Sequence, residues 1–148
     1  MPLTRDRAYA TATYDDSRLI LRLYELRRDP RMRDARRWFI SSFRPKTIEE
    51  FARLCPVGSP QNQSMRMVVT YWDMVASFIT AGVLNRDLFF ESGRELLLVW
   101  ERLRHLMALR PPTNDPMFSD LAIVGEEFAA WLRARSPEAY ESFVTRIK

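Results

Sequence analysis

The 148 residues are 47% hydrophobic and 28% charged, a balance ordinary for one globular domain, so disordered, collagen-like and fibrous classes have no compositional support. A chain of this length buries about 70% of the surface its unfolded form exposes, enough for a core without metals or disulfides. The single cysteine, Cys55, excludes an internal disulfide framework and a cysteine-rich zinc site, and points to a reducing compartment. The net charge of +4 is uneven: residues 1–46 hold 12 basic and 6 acidic side chains, and all the basic residues of the chain except Lys46 and Lys148 are arginine, whose planar fork suits carboxylates and phosphates.

Residues 1–14 show no sustained period and are expected to form an arm, disordered or docked on a neighbour, with residues 15–148 as a single helical domain. The N-terminus has charges where a signal peptide needs a continuous apolar run, so none is expected. Asp15, Asp16 and Ser17 are candidate caps for a first helix carrying Leu19, Leu23 and Leu26 on one face. Asp29-Pro30 opens a second helix with Met32, Ala35, Phe39 and Phe43 on one side and Arg33, Arg36 and Arg37 on the other. After Pro45, Thr47 and Glu50 form a capping box for a short third helix ending near Leu54. Residues 55–62 are dense in turn formers and read as a loop.

The fourth helix, Gln63 to Ala81, is apolar around most of its circumference, with Arg66, Thr70, Asp73, Ser77 and Thr80 in one narrow polar stripe. Such a helix belongs at the centre of a bundle. Its apolar stretch, Met67 to Val83, contains Asp73 and falls short of the roughly 20 residues of a bilayer span. Gly82 stops it, and Asn85 or Asp87 caps a short turn carrying Leu88, Phe89 and Phe90. Leu96, Trp100, Leu103 and Met107 give the fifth long helix its buried face, and the proline-rich stretch 110–116 ends it. Leu121, Gly125, Phe128 and Leu132 mark the next helix, and Ser136-Pro137-Glu138 opens the last. No segment alternates as a strand does. The expected fold is therefore all-α, a single-domain bundle of about six or seven helices.

Chemistry is sparse. His105 is the only histidine and reads as a solvated rim residue; Cys55 lies at a helix C-terminus, which disfavours a thiolate. Adjacent carboxylates at Glu49/Glu50 and Glu126/Glu127 point about 100° apart on a helix and do not share a ligand. No phosphate loop, dinucleotide fingerprint or calcium loop is present. The residues thus nominate no catalytic, cofactor-binding or metal-ligating group and no cofactor. What stands out is the arginine cluster, with Arg33, Arg36 and Arg37 as interaction candidates, and Asp73, a carboxylate in the most apolar helix. Dry and unpaired it costs several kcal/mol, so a salt bridge to Arg36 or Arg37 is expected, unless the stripe faces water.

The order of features then resembles a known family. An arginine-rich helix precedes a central helix reading Tyr71-Trp72-Asp73-Met74-Val75-Ala76-Ser77-Phe78, then Ala81-Gly82-Val83-Leu84, then Leu97-Leu98-Val99-Trp100-Glu101-Arg102-Leu103. Over about residues 17–110 this is similar to the bacterial family called domain of unknown function 4760, whose acidic position in the central helix is more usually glutamate and many of whose members carry an N-terminal membrane helix. The resemblance implies an all-helical bacterial domain and carries over no catalytic residue.

The expected function is that of a non-catalytic helical binding or scaffolding domain of a bacterial cytoplasmic protein, engaging a protein partner or a second copy of itself. Self-association is suggested by Trp38, Trp72, Trp100, Trp131 and Phe89-Phe90, more large aromatics than a small bundle readily covers. The alternative is a nucleic-acid or anionic-surface binder using the second helix, with membrane-surface contact left open; Asp29 and Asp34 inside the cluster make nucleic acid the weaker choice. An enzyme of unrecognised type ranks third.

Overall fold

The computed structural model describes residues 11–111 and 113–148, and the first ten positions of the expected arm lie outside the described residues. Eight helices are present among them and no strand: α1 (Tyr14–Leu26), α2 (Pro30–Ser42), α3 (Ile48–Leu54), α4 (Pro60–Thr80), α5 (Arg86–Phe90), α6 (Arg94–Leu109), α7 (Ser119–Arg135) and α8 (Pro137–Ile147). The helix beyond the expected count is α5, where the turn around Leu88 closes into helix because the Asn85 side chain accepts from the Leu88 N–H at 2.9 Å.

Two starts fall earlier than the sequence suggests. Helix α1 begins at Tyr14, inside the expected arm, with Thr13 as N-cap; Asp16 is in its first turn and accepts from the Thr13 N–H at 2.8 Å. Helix α4 begins at Pro60 within the expected loop, because Ser59-Pro60 repeats the chemistry of Asp29-Pro30: the Ser59 hydroxyl accepts from the Asn62 N–H at 3.1 Å and proline presets the first helical φ. The C-terminal stop of α4 is as expected. Gly82 has φ 79°, a left-handed conformation that costs a side-chain-bearing residue about 1–2 kcal/mol. It lets both the Val83 and Leu84 N–H groups donate to the Phe78 carbonyl at 2.9 Å.

Helix α4 is the axis of the bundle. It packs on α2, α6 and α7, while α7 and α6 also contact α8. Its inward residues Val68, Val69, Trp72, Val75, Ala76 and Ile79 are at most 1% exposed. They cover more of its circumference than the one-sided apolar face of a surface helix, because neighbours approach from several directions; past its first turn only Arg66, Met67, Thr70 and Met74 are exposed, and Asp73, Ser77 and Thr80 of the polar stripe are half-buried. Two stacked aromatic pairs anchor the layers, Phe39 on Phe43 with centroids 4.5 Å apart and Phe90 on Phe128 at 4.1 Å. Trp72, Trp100, Phe89 and Phe90 are buried, and Trp38 and Trp131 pack on the core from its edge. The aromatic surplus that suggested self-association is thus covered by the chain's own helices.

Helices α6 and α7 cross where Gly125 meets Trp100. A Cβ at Gly125 would overlap the Trp100 indole at Cγ and Cδ1 and its Cβ, the part of the side chain that cannot swing away. Gly125→Ala is therefore expected to lose about 1–3 kcal/mol through overpacking, although alanine is the better helix former by about 1 kcal/mol. Urea unfolding checks this, and a gain in stability would mean that the crossing is looser than described.

Candidate functional site

The charged interior forms first around Glu95, in the first turn of α6 with its side chain 9% exposed. The Arg36 fork from α2 donates through Nε to Oε2 at 2.8 Å and through Nη2 to Oε1 at 2.8 Å. Arg27, at the end of α1, stands 3.5 Å from the same Oε1, and the Trp72 indole N–H of α4 donates to Oε2 at 3.0 Å. The Arg27 guanidinium lies over the rings of Tyr24 and Trp72 at 4.9 and 5.2 Å, and the Tyr71 hydroxyl donates to the Leu23 carbonyl at 2.6 Å. The hydrogen bond that Arg36 donates to Glu95 raises its pKa above the ordinary value, against the pull of burial. Burial pushes the Tyr71 hydroxyl up to about 12. A carboxylate whose oxygens are already taken by two guanidinia and an indole has none to offer a substrate, so this centre holds helices together.

Asp73 is not paired with Arg36 or Arg37, contrary to expectation. Arg36 is turned inward to Glu95 and Arg37 lies exposed on α2. Asp73 instead accepts from the Leu121 N–H of α7 at 3.0 Å. That N–H is among the first of its helix, whose N-cap residue Phe118 offers no side-chain cap and is itself left-handed at φ 67°. Asp73 therefore caps α7 from a distance, and the adjoining Thr80 hydroxyl donates to Asp120 at 2.6 Å. Burial lifts the Asp73 carboxyl above the usual range, the Leu121 N–H draws it back, and Asp120 nearby lifts it further.

The remaining candidates separate. Arg33 is exposed beside Arg37, and Trp38, the aromatic interleaved with the cluster in sequence, is turned against the core. His105 is half-buried and not solvated as expected: its Nε2–H donates to the Pro45 carbonyl at 2.9 Å, tying α6 to the α2–α3 connection. Cys55 is buried at the end of α3, where burial raises its thiol pKa. Among the described residues no three His, Cys, Asp or Glu side chains gather as metal ligands. Sequence reasoning missed Glu95 and the buried Arg102. Arg102 had a visible signal, since it lies three residues after Val99 and four before Leu106, both on the core face of α6.

A ligand-sized space opens elsewhere, between α3, α4, α6 and the connector before α7. It has a volume of about 300 Å³ and walls including Phe51, Met65, Val69, Leu106 and Phe118, at the small end of ligand pockets. Its only charged lining residues are Arg66 and Arg110, neither of which forms an ion pair among the described residues. No histidine, cysteine, serine or carboxylate lines it. Phe118 forms part of the wall in its left-handed conformation, which for a bulky residue is uncommon and often marks a binding site.

Residues 12–145 match the sequence profile of a family described as Domain of unknown function (DUF4760), a wider span than the segments that carried the resemblance. No curated protein and no solved structure matches the chain significantly.

Because Asp73 makes a cap and not a charge pair, Asp73→Ala is expected to cost about 0.5–2 kcal/mol, the usual loss for a helix cap, and Asp73→Asn, which keeps an acceptor oxygen, distinctly less. Chemical denaturation of the two variants reads this. A loss of about 3–5 kcal/mol for Asp73→Ala would restore a buried ion pair.

Proposed function

The chain belongs to the family described as Domain of unknown function (DUF4760), and on that footing we propose that it is a non-catalytic binding domain of a bacterial cytoplasmic protein. Its site is the cleft between α3, α4 and α6. The occupant is a small amphipathic molecule with an apolar body and one anionic group. The observation that carries this reading is the lining itself: two cations without ion-pair partners among the described residues, in an otherwise apolar cleft that contains no nucleophile and no base. Methionines at 65, 107 and 117 supply adaptable walls. An anionic head placed between Arg66 and Arg110 gains charge-assisted hydrogen bonds, and the body displaces water from apolar surface at about 25 cal/mol per Å².

The second reading, an anionic surface or nucleic acid held by the outer face of α2, is favoured by Arg31, Arg33 and Arg37, which are exposed and without ion pairs among the described residues. It is weakened by the diversion of Arg36 to Glu95 and of Trp38 to the core, which removes the stacking platform single-strand binders use.

Calorimetric titration with decanoate, decanol and a decyl ammonium salt tests the first reading. Decanoate is expected to bind saturably and at least tenfold more tightly than the other two, a difference of about 1.4 kcal/mol. That preference should vanish in an Arg66→Ala/Arg110→Ala variant, and Met107→Trp should block the cleft. Equal binding of decanol and decanoate, or no saturable binding of either, would overturn the assignment; retention by heparin that falls steeply with salt and is lost in Arg33→Ala/Arg37→Ala would favour the second reading.

A further inference from the structure

Arg102 is a cation taken out of water with no carboxylate beside it. It is 6% exposed, and among the described residues it forms no ion pair. Three carbonyls at the ends of two helices satisfy most of its fork: Nε donates to Ile147 of α8 at 3.0 Å, and Nη1 donates to Phe39 and Ile40 of α2 at 2.7 and 2.8 Å. Each helix C-terminus presents roughly half a negative charge, so the two together balance about one guanidinium. Nη2 makes no hydrogen bond within the described residues and is the donor left over.

That leftover edge belongs to a residue lining a separate cavity of about 240 Å³, formed by the α2–α3 connection, α6 and α8. Arg44 and Lys46, both exposed and both outside any ion pair among the described residues, line the same cavity. Arg104 also lines it, but it is committed to Glu101 at 3.0 Å and Glu126 at 3.0 Å, and Glu101 is further held by the Tyr140 hydroxyl at 2.7 Å. Lys148 lines it too, exposed and outside any ion pair among the described residues, so with Arg102 balanced by the helix ends and Arg104 by its carboxylates, the side-chain surplus is the three positive charges of Arg44, Lys46 and Lys148. The other walls include Pro45, Val144 and Ile147, which are aliphatic. The Arg102 pKa is lowered to about 10, by burial first and by the neighbouring Arg44 second.

We propose that this cavity is a binding site for a small oxyanion with a short aliphatic body, a carboxylate or a phosphate ester, held by Arg102 Nη2 at its base and by Arg44 and Lys46 at its mouth. The buried fork gives direction, because its other two nitrogens are fixed by carbonyls and the third has one orientation. The two outer cations give field strength. The site is distinct from the apolar cleft, with which it shares no lining residue.

The test is made on the full chain, by titration with inorganic phosphate, propyl phosphate and butyrate at constant ionic strength set with chloride. Substitution of Arg102 would strip caps from two helices, so the informative variant is Arg44→Gln/Lys46→Gln, which removes exposed and unpaired charges and leaves folding intact. A second variant, Arg31→Gln/Arg33→Gln, removes the same charge from the outer face of α2. Saturable binding is expected in the wild type, weakened at least tenfold in the first variant and unchanged in the second; propyl phosphate above butyrate assigns a phosphate ester and the reverse a carboxylate. Absence of saturable binding by all three probes, or equal weakening in both variants, would overturn the site.

Discussion

Glu95 stands where α1, α2, α4 and α6 converge, and the pairing that holds it is the constraint the rest of the fold answers to. A carboxylate with its side chain 9% exposed loses most of its hydration and is tolerable only if its lone pairs are used. Arg36 closes on it with a two-point fork, Arg27 adds a second positive charge, and the Trp72 indole takes what remains of Oε2. These partners come from three different parts of the chain, so the carboxylate fixes their relative register as well as their proximity. Helix α1 depends on this most. It packs less closely on its neighbours than the other long helices do, and Arg27, the Tyr71 hydroxyl on Leu23, and Asp16 accepting from the Asn85 N–H at 2.8 Å are its main polar ties.

The interior charges share a logic. Glu95 uses two guanidinia, Arg102 uses the carbonyl ends of two helices, and Asp73 uses the amide start of a third. Each joins elements far apart in the chain; both Glu95 oxygens are engaged, Arg102 uses Nε and Nη1, and Asp73 uses Oδ1. Glu95, paired to two guanidinia, is a poor general acid or base, since proton transfer would leave buried charge unbalanced. Of the cations outside any ion pair among the described residues, Arg66 and Arg110 edge one cavity, Arg44 and Lys46 edge the other, and Arg31, Arg33 and Arg37 lie on the outer face of α2. Binding of anions is the chemistry that such a distribution supports.

Helix type and most boundaries were legible because the caps are local: Asp29-Pro30, Thr47, Asn85 and Ser136 all act within three residues of themselves. The start of α4 was legible in principle, as Ser59-Pro60 carries the same signal, but a cluster of turn residues masked it. The partners of the buried charges were not legible. Asp73 announces a need, yet an arginine and a helix N-terminus satisfy it equally well, and choosing between them requires knowing that α7 begins with a residue unable to cap itself. Glu95 looks like an ordinary first-turn acid, and only the approach of α2 and α4 reveals it as the hub. The cavities depend on which arginines remain unpaired, a difference left over after all the pairings are made.

A double-mutant cycle on Arg36 and Glu95, using Arg36→Met and Glu95→Gln with stability measured by chemical denaturation, tests the central role of this pairing. A coupling energy of about 1–3 kcal/mol is expected, with each single variant losing a large fraction of the roughly 5–15 kcal/mol typical of a domain. Additive losses, with coupling within about 0.5 kcal/mol of zero, would mean that Glu95 behaves as a solvated surface acid and that the four helices are held in register by apolar packing alone.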